Sequence, residues 1–197
     1  MTKKLEDGIS ILDVGCGSGW HAIQMASTYP KCKVVAFDVT EGAIAMAKKA
    51  VAESGKQLNN LELHVLNAKA MKPEWTDSFD FVTIFDACHD QQRPDLCIRE
   101  IHRVLKPGGV FAMLEIAGTS NAYEDMQLSE TNAAWYTVST FHCLPVGSNS
   151  PDALGLGTKW GEKRARKLLA DCGFEDSKVV VHKPPFFPSN YIYVCTK

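Results

Sequence analysis

No run of about 18 apolar residues occurs in the 197-residue chain, so no segment reads as a membrane-spanning helix. The N-terminus, Met1-Thr2-Lys3-Lys4-Leu5-Glu6-Asp7, lacks the apolar centre of a signal peptide. An excess of either charge is missing too. Lys and Arg total 21 against 23 Asp and Glu, a formal charge of −2 that gives no general attraction to a polyanion. Neither nucleic acid nor a membrane is therefore expected as a partner. There is no C-x-x-C pair, and the cysteines (Cys16, Cys32, Cys88, Cys97, Cys143, Cys172, Cys195) are odd in number. That excludes a disulfide framework and a zinc knuckle, leaves no metal expected, and points to a reducing, cytoplasmic setting. Repeats and low-complexity tracts are absent, and the length suits one domain spanning 1–197.

What is present is alternation. Strand-like runs at 10–15, 33–39, 61–67, 79–86 and 108–116 are separated by helical patterns at 20–29, 40–54 and 93–105. Thr40 reads as an N-cap and Gly55 as the residue past that helix's end. The alternating "LELHVLN" suggests a strand near a sheet edge, and Lys106-Pro107-Gly108-Gly109 a turn before the fifth strand. Such repetition means right-handed βαβ units and a mostly parallel sheet. Residues 117–158 break the pattern as an inserted helical or loop segment. A helix at 159–171, stopped by Gly173, precedes two antiparallel strands at 178–182 and 191–196. The division expected is 9–116 for a cofactor-binding core, 117–158 for an acceptor-side insertion, and 159–197 for a closing helix and strand pair.

The segment "ILDVGCGSGW" (11–20) joins the first strand to the first helix. Ligands of open α/β sheets bind at such loops, where glycine lets the backbone come close. A dinucleotide fingerprint, G-x-G-x-x-G, needs glycine where Trp20 stands. The pattern present is D-x-G-x-G-x-G, built on Asp13, Gly15, Gly17 and Gly19. It resembles the first motif of class I S-adenosylmethionine-dependent methyltransferases. The resemblance continues through Asp38 at the end of "VVAFD", Asn67-Ala68 after the third strand, Asp86-Ala87-Cys88-His89 after the fourth, and "EIHRVLKPGGVFAMLE".

What the resemblance implies is a Rossmann-like class I methyltransferase fold: a three-layer α/β/α sandwich around a seven-stranded, mostly parallel sheet with an antiparallel C-terminal strand. It implies S-adenosyl-L-methionine as cofactor. Asp13, Gly15, Cys16, Gly17 and Gly19 would hold the methionyl end and Asp38 the ribose. Val39, Asn67 and Ala68 would meet the adenine, with Asp86 and Ala87 beside them. Asn67 stands where the family usually has Asp; its amide can accept from the adenine amino group but adds no charge. "DACHDQQRPDLCIREIHRVLKPGG", "FHC" and "GLGTKWGE" further resemble a subfamily that usually carries an N-terminal winged-helix-like domain, absent here. On that reading a cofactor lid and a dimer surface are missing, and a homodimer is expected once such a domain is restored.

The implied activity is methyl transfer to a small or medium-sized acceptor at O, N or C. His89 is the candidate base, flanked by Asp86 and Asp90, which can orient its ring; Asp90 equally reads as a helix N-cap. Tyr123, Trp135, Tyr136, Phe141 and His142 are candidates for an acceptor pocket or, alternatively, for packing the insertion onto the sheet. Gly155, Gly157 and Thr158 read as a turn and helix cap, Lys159 and Arg164 as solvated, and Trp20 as a core residue close to the methionine moiety. "KPPFF" (183–187) is set aside as a base-methylation motif because its place after the fourth strand is taken by "DACH". Cys88 and Cys143 read as buried thiols. Two rival readings remain: a non-catalytic S-adenosylmethionine-binding or regulatory protein, and a nicotinamide-dependent oxidoreductase.

Overall fold

The structure is a computed structural model describing residues 1–197. Apolar β-rich runs become strands β1 (Ser10–Val14), β2 (Lys33–Asp38), β3 (Leu61–Val65), β4 (Phe79–Phe85) and β5 (Leu105–Ile116). Between them lie helices α2 (Trp20–Thr28), α3 (Glu41–Glu53) and α4 (Pro94–Val104), after a short α1 (Thr2–Asp7). The sheet closes with β6 (Val179–His182) and β7 (Asn190–Thr196) in the order β3-β2-β1-β4-β5-β7-β6. All neighbours are parallel except β7, which runs antiparallel to both β5 and β6. β3 is an edge strand, as its alternation foretells.

Side chains alternate across a strand, so β1 divides the core in two. Ile11 joins Ala22, Ala26 and Ile44 from α2 and α3 on one face. Leu12 and Val14 join Ile98, Ile101 and Leu169 on the other. Helices thus cover both faces, the environment parallel strands require. The chain leaves β1 toward β2 on one side and finds β4 on the other. This reversal opens a crevice above the carboxyl ends of β1 and β4. No helix is long and apolar enough to cross a membrane.

Of the helix caps read from the sequence, one is found and two are not. Thr40 does cap α3, its hydroxyl accepting from Ala43 N at 3.3 Å. Asp90 does not cap α4; that position falls to Arg93, ahead of Pro94. The helix expected from 159 is α8 (Gly161–Asp171) and has Trp160 at its N-cap, so Thr158 is not the cap either. Thr158 instead ties down the insertion, its N–H donating to Ser139 Oγ and its hydroxyl to Trp135 O.

The expected turn at 106–109 lies inside β5. Leu105 already pairs with Phe79, while Val110 pairs with Phe81, so the intervening residues bulge with Gly108 at φ 74°. α1 carries little sequence signal because it buries no residue fully and only Leu5 packs against the core. The insertion folds as α5 (Ala122–Leu128), α6 (Asn132–Val138), a π-helical turn (Ser139–Cys143) and α7 (Leu144–Gly147). Trp20 is 64% exposed rather than in the core, and the tryptophan that fills the core is Trp160. Lys159, read as solvated, is buried.

Candidate active site

The glycine loop leaves β1 with positive φ at Gly15, Gly17 and Gly19. The reasons for two of these glycines differ. A Cβ on Gly19 would stand 2.9 Å from Ala47 Cβ, so this glycine lets α2 sit against α3. A Cβ on Gly17 would meet nothing within 4 Å, so its bareness serves the open crevice and not the fold. Asp38 at the end of β2 fastens the loop: Oδ2 accepts Gly17 N at 3.0 Å, and Oδ1 accepts Thr40 N and Oγ1 at 3.0 and 3.1 Å.

Asp13 lies beneath the loop, 2% exposed. Its Oδ1 takes the Thr83 hydroxyl at 2.8 Å, while Oδ2 is buried with no partner. Burial pushes this carboxyl up to about 7, against the opposing pull of the Thr83 hydrogen bond. The folded chain therefore holds a proton that the unfolded chain releases near pH 3.8. The stability this contributes is present below that pH and is lost as pH rises through about 7. Thermal melts of wild type and Asp13→Asn should show it: the wild-type Tm falls relative to the variant's between about pH 4 and pH 7. Parallel curves would disprove the assignment.

Cys16 departs from its expected role. Its side chain packs with Ile11 and Ala36, its N–H is spent on Phe37 O at 3.0 Å, and burial pushes its thiol up to about 12. Val39 and Asn67 do come together, lining a cavity of about 280 Å3 with Lys69, Asp90 and Arg93. Asn67 Oδ1 accepts Lys69 N at 3.1 Å, which fixes the amide's orientation. Ala68 is buried beside it, and Ala87 packs on Gly15. Asp86 is exposed at φ 55°, where the chain turns sharply off β4.

His89 stands in a buried polar knot. Its Nδ1 lies 2.6 Å from Glu115 Oε2, and its Nε2 3.5 Å from Asp90 Oδ1. Glu115, only 1% exposed, also accepts Cys88 N, His89 N and Trp160 Nε1. Burial alone lowers the pKa of His89; the hydrogen bond and charge of Glu115, with Asp90 and Asp86, outweigh it and push the imidazole up to about 9. Sequence reasoning passed over Glu115, although an acid inside the apolar "AMLEI" is a signal, since a buried carboxylate needs partners.

The candidate acceptor aromatics are not gathered into one pocket. Tyr123 and Phe141 are 74% and 81% exposed, and His142 is exposed. The Tyr136 hydroxyl donates to buried Asp125 at 2.6 Å. Trp135 is half-buried under Thr158. A second cavity, about 340 Å3, opens instead between the end of β5 and the start of β7, lined by Ala117, Asp125, Asn132, Lys159, Ser189 and Tyr191. There Lys159 donates to Ala117 O and, at 2.9 Å, to Asn132 Oδ1.

A family profile described as a methyltransferase domain matches residues 5–172. The chain belongs to this methyltransferase domain family. It is 38% identical over 116 residues to a demethylmenaquinone methyltransferase of Lactococcus lactis, a match covering 57% of the chain and 45% of that protein. A ubiquinone biosynthesis O-methyltransferase of Pseudomonas putida is 32% identical over 116 residues, covering 59% and 48%. The chain thus spans about half the length of these relatives.

Among solved structures, a SAM-dependent methyltransferase from Methanosarcina mazei superposes with a TM-score of 0.69 at 24% identity, covering 100% of this chain and 95% of that one. A SAM-dependent methyltransferase from Aquifex aeolicus gives 0.66 at 19%, covering 95% and 81%. The class I fold is therefore shown, and with the family it implies S-adenosyl-L-methionine as the methyltransferase's cofactor. The oxidoreductase alternative falls. The residues fit the cofactor: the unpartnered Asp13 oxygen suits a nearby ammonium group, and open Gly17 admits a ligand against bare backbone.

Proposed function

We propose that this methyltransferase passes a methyl group to a small acceptor bound between the β4–α4 loop and the 117–158 insertion, with His89 removing the acceptor's proton. S-adenosyl-L-methionine supplies an electrophilic methyl on a sulfonium, so the chain's task is mainly alignment. In this reading residues 9–116 bind the cofactor and 117–158 face the acceptor. Asp13, Gly15, Gly17 and Gly19 hold the methionyl end, and Cys16 only positions the loop from the core. Asp38 takes the ribose hydroxyls, Val39, Asn67 and Ala68 the adenine, and Asp86 with Ala87 borders the reacting centre.

The observation that supports this most is the Glu115–His89 pair. Glu115 holds the Nδ1 proton, which leaves Nε2 as the atom that accepts another, with Asp90 between it and the open cavity. The separate 340 Å3 cavity on the β5–β7 side, which the β4–α4 loop does not line, adds a polar wall at Lys159 and Asp125 on the insertion's far side, with Tyr136 behind Asp125. Trp135, Phe141 and His142 then form the outer wall of the insertion.

The test is turnover. The chain is incubated with S-adenosyl-L-methionine and panels of phenols, amines, thiols and activated methylenes, and S-adenosylhomocysteine formation is followed by mass spectrometry. Acceptor-dependent product is expected. Cofactor binding without turnover on any panel would favour the non-catalytic binder.

A further inference from the structure

We propose that His89, Asp90 and Cys143 form a binding site for a thiophilic divalent cation, Zn2+ being the fitting choice. Each offers one ligand atom, and the three atoms lie within 4.8 Å of one another. Tetrahedral zinc bonds of about 2.0–2.3 Å set donors roughly 3.3–3.8 Å apart, and His89 Nε2 stands 3.5 Å from Asp90 Oδ1. That pair already has the spacing, and closing the trio requires the Cys143 sulfur, within 4.8 Å of both, to approach by at most about 1–1.5 Å.

Three further observations point the same way. Asp90 Oδ1 is buried and makes no hydrogen bond, having only the His89 ring 3.5 Å away, so a cation between the two would give it a direct ligand bond. Glu115 holds His89 Nδ1, the carboxylate–histidine arrangement that fixes the ring with Nε2 toward a metal. Cys143 ends the π-helical turn, and such turns collect at functional sites. The register of that segment is locked: α7 follows it directly, and a Cβ on Gly147 would stand 3.0 Å from the carbonyl oxygen of His89. The other possible trio, Asp86, His89 and Glu115, is spent, because both Glu115 oxygens already accept hydrogen bonds.

Three protein donors leave a fourth position, and Asp90 lines the 280 Å3 cavity through which an ion or a ligand atom enters. Sequence spacing conceals the site, since 53 positions separate Asp90 from Cys143 and no motif links them. A cation takes the Nε2 lone pair. Resting on the base assignment made above, the site is then inhibitory toward acceptors that must lose a proton.

The test reads metal without turnover, so its failure is distinguishable from failure of the base assignment. Zn2+ is titrated against the chain in competition with a chromophoric chelator, and Co2+ is followed by absorbance. One ion per chain with a thiolate-to-cobalt charge-transfer band is expected. The band should vanish in Cys143→Ser and persist in Cys97→Ser, whose thiol is buried elsewhere. Asp90→Asn should weaken Zn2+ by at least about tenfold, and it carries the test if Cys143→Ser fails to fold by circular dichroism. No ion bound at micromolar Zn2+, or a band that survives in folded Cys143→Ser, overturns the proposal.

Discussion

Asp38→Ala is expected to weaken S-adenosylhomocysteine binding by about a hundredfold or more in calorimetric titration, with NADH and NADPH silent in both proteins. Two losses combine. The proposed ribose contacts are charge-assisted hydrogen bonds, each of roughly 1.5–3 kcal/mol, and about 3 kcal/mol together already gives that factor. The same carboxylate also anchors Gly17 N and Thr40 N, so the loop that meets the methionyl end loses its fastening. Asp38→Asn removes the charge and keeps half of the fastening, because its single amide oxygen accepts either from Gly17 N or from Thr40 but not from both. It should bind more weakly than wild type and more tightly than Asp38→Ala. Undiminished binding in Asp38→Ala would remove the cofactor from this crevice.

The second large effect falls on Glu115→Gln. Breaking a buried ion pair on one side typically costs about 3–5 kcal/mol, and here an amide NH2 would face either His89 Nδ1 and Trp160 Nε1–H together or the backbone N–H groups of Cys88 and His89. His89 is held up to about 9 in the folded chain against an ordinary 6.5. The stability contributed is therefore complete below about pH 6.5 and lost as pH rises through about 9. Activity runs the other way, since a base works when deprotonated; kcat/KM should climb with pH toward about 9. In Glu115→Gln both profiles should move to lower pH, with the Tm flattened across 6.5–9. A pH–rate profile that stays in place would show that His89 is not the titrating base, whatever the stability does.

The regular elements were legible because each carries its own local signal. Thr40 and Gly55 bracket α3, Pro94 opens α4, and the alternation in "LELHVLN" marks an edge. The glycine spacing and Asp38 were legible too, because a ligand-facing backbone requires glycine at a fixed distance from the strand. What escaped depends on partners far along the chain. Glu115 draws its partners from Cys88, His89 and Trp160, and Lys159 from Ala117 and Asn132. Trp20 misled because an aromatic residue at the first helical position reads the same whether it faces the sheet or the solvent. The four aromatics of the insertion shared sequence proximity, but helical geometry sends them in different directions.

The order of the sheet has a consequence for synthesis. β7 lies between β5 and β6, although it is the last strand in sequence. Until it emerges from the ribosome, β5 presents an unpaired apolar edge from Val110 to Ile116, and β6 has no neighbour at all. Residues 190–196 therefore act as a keystone: the nascent cofactor half can assemble early, but the sheet stays open until this segment is free to pair.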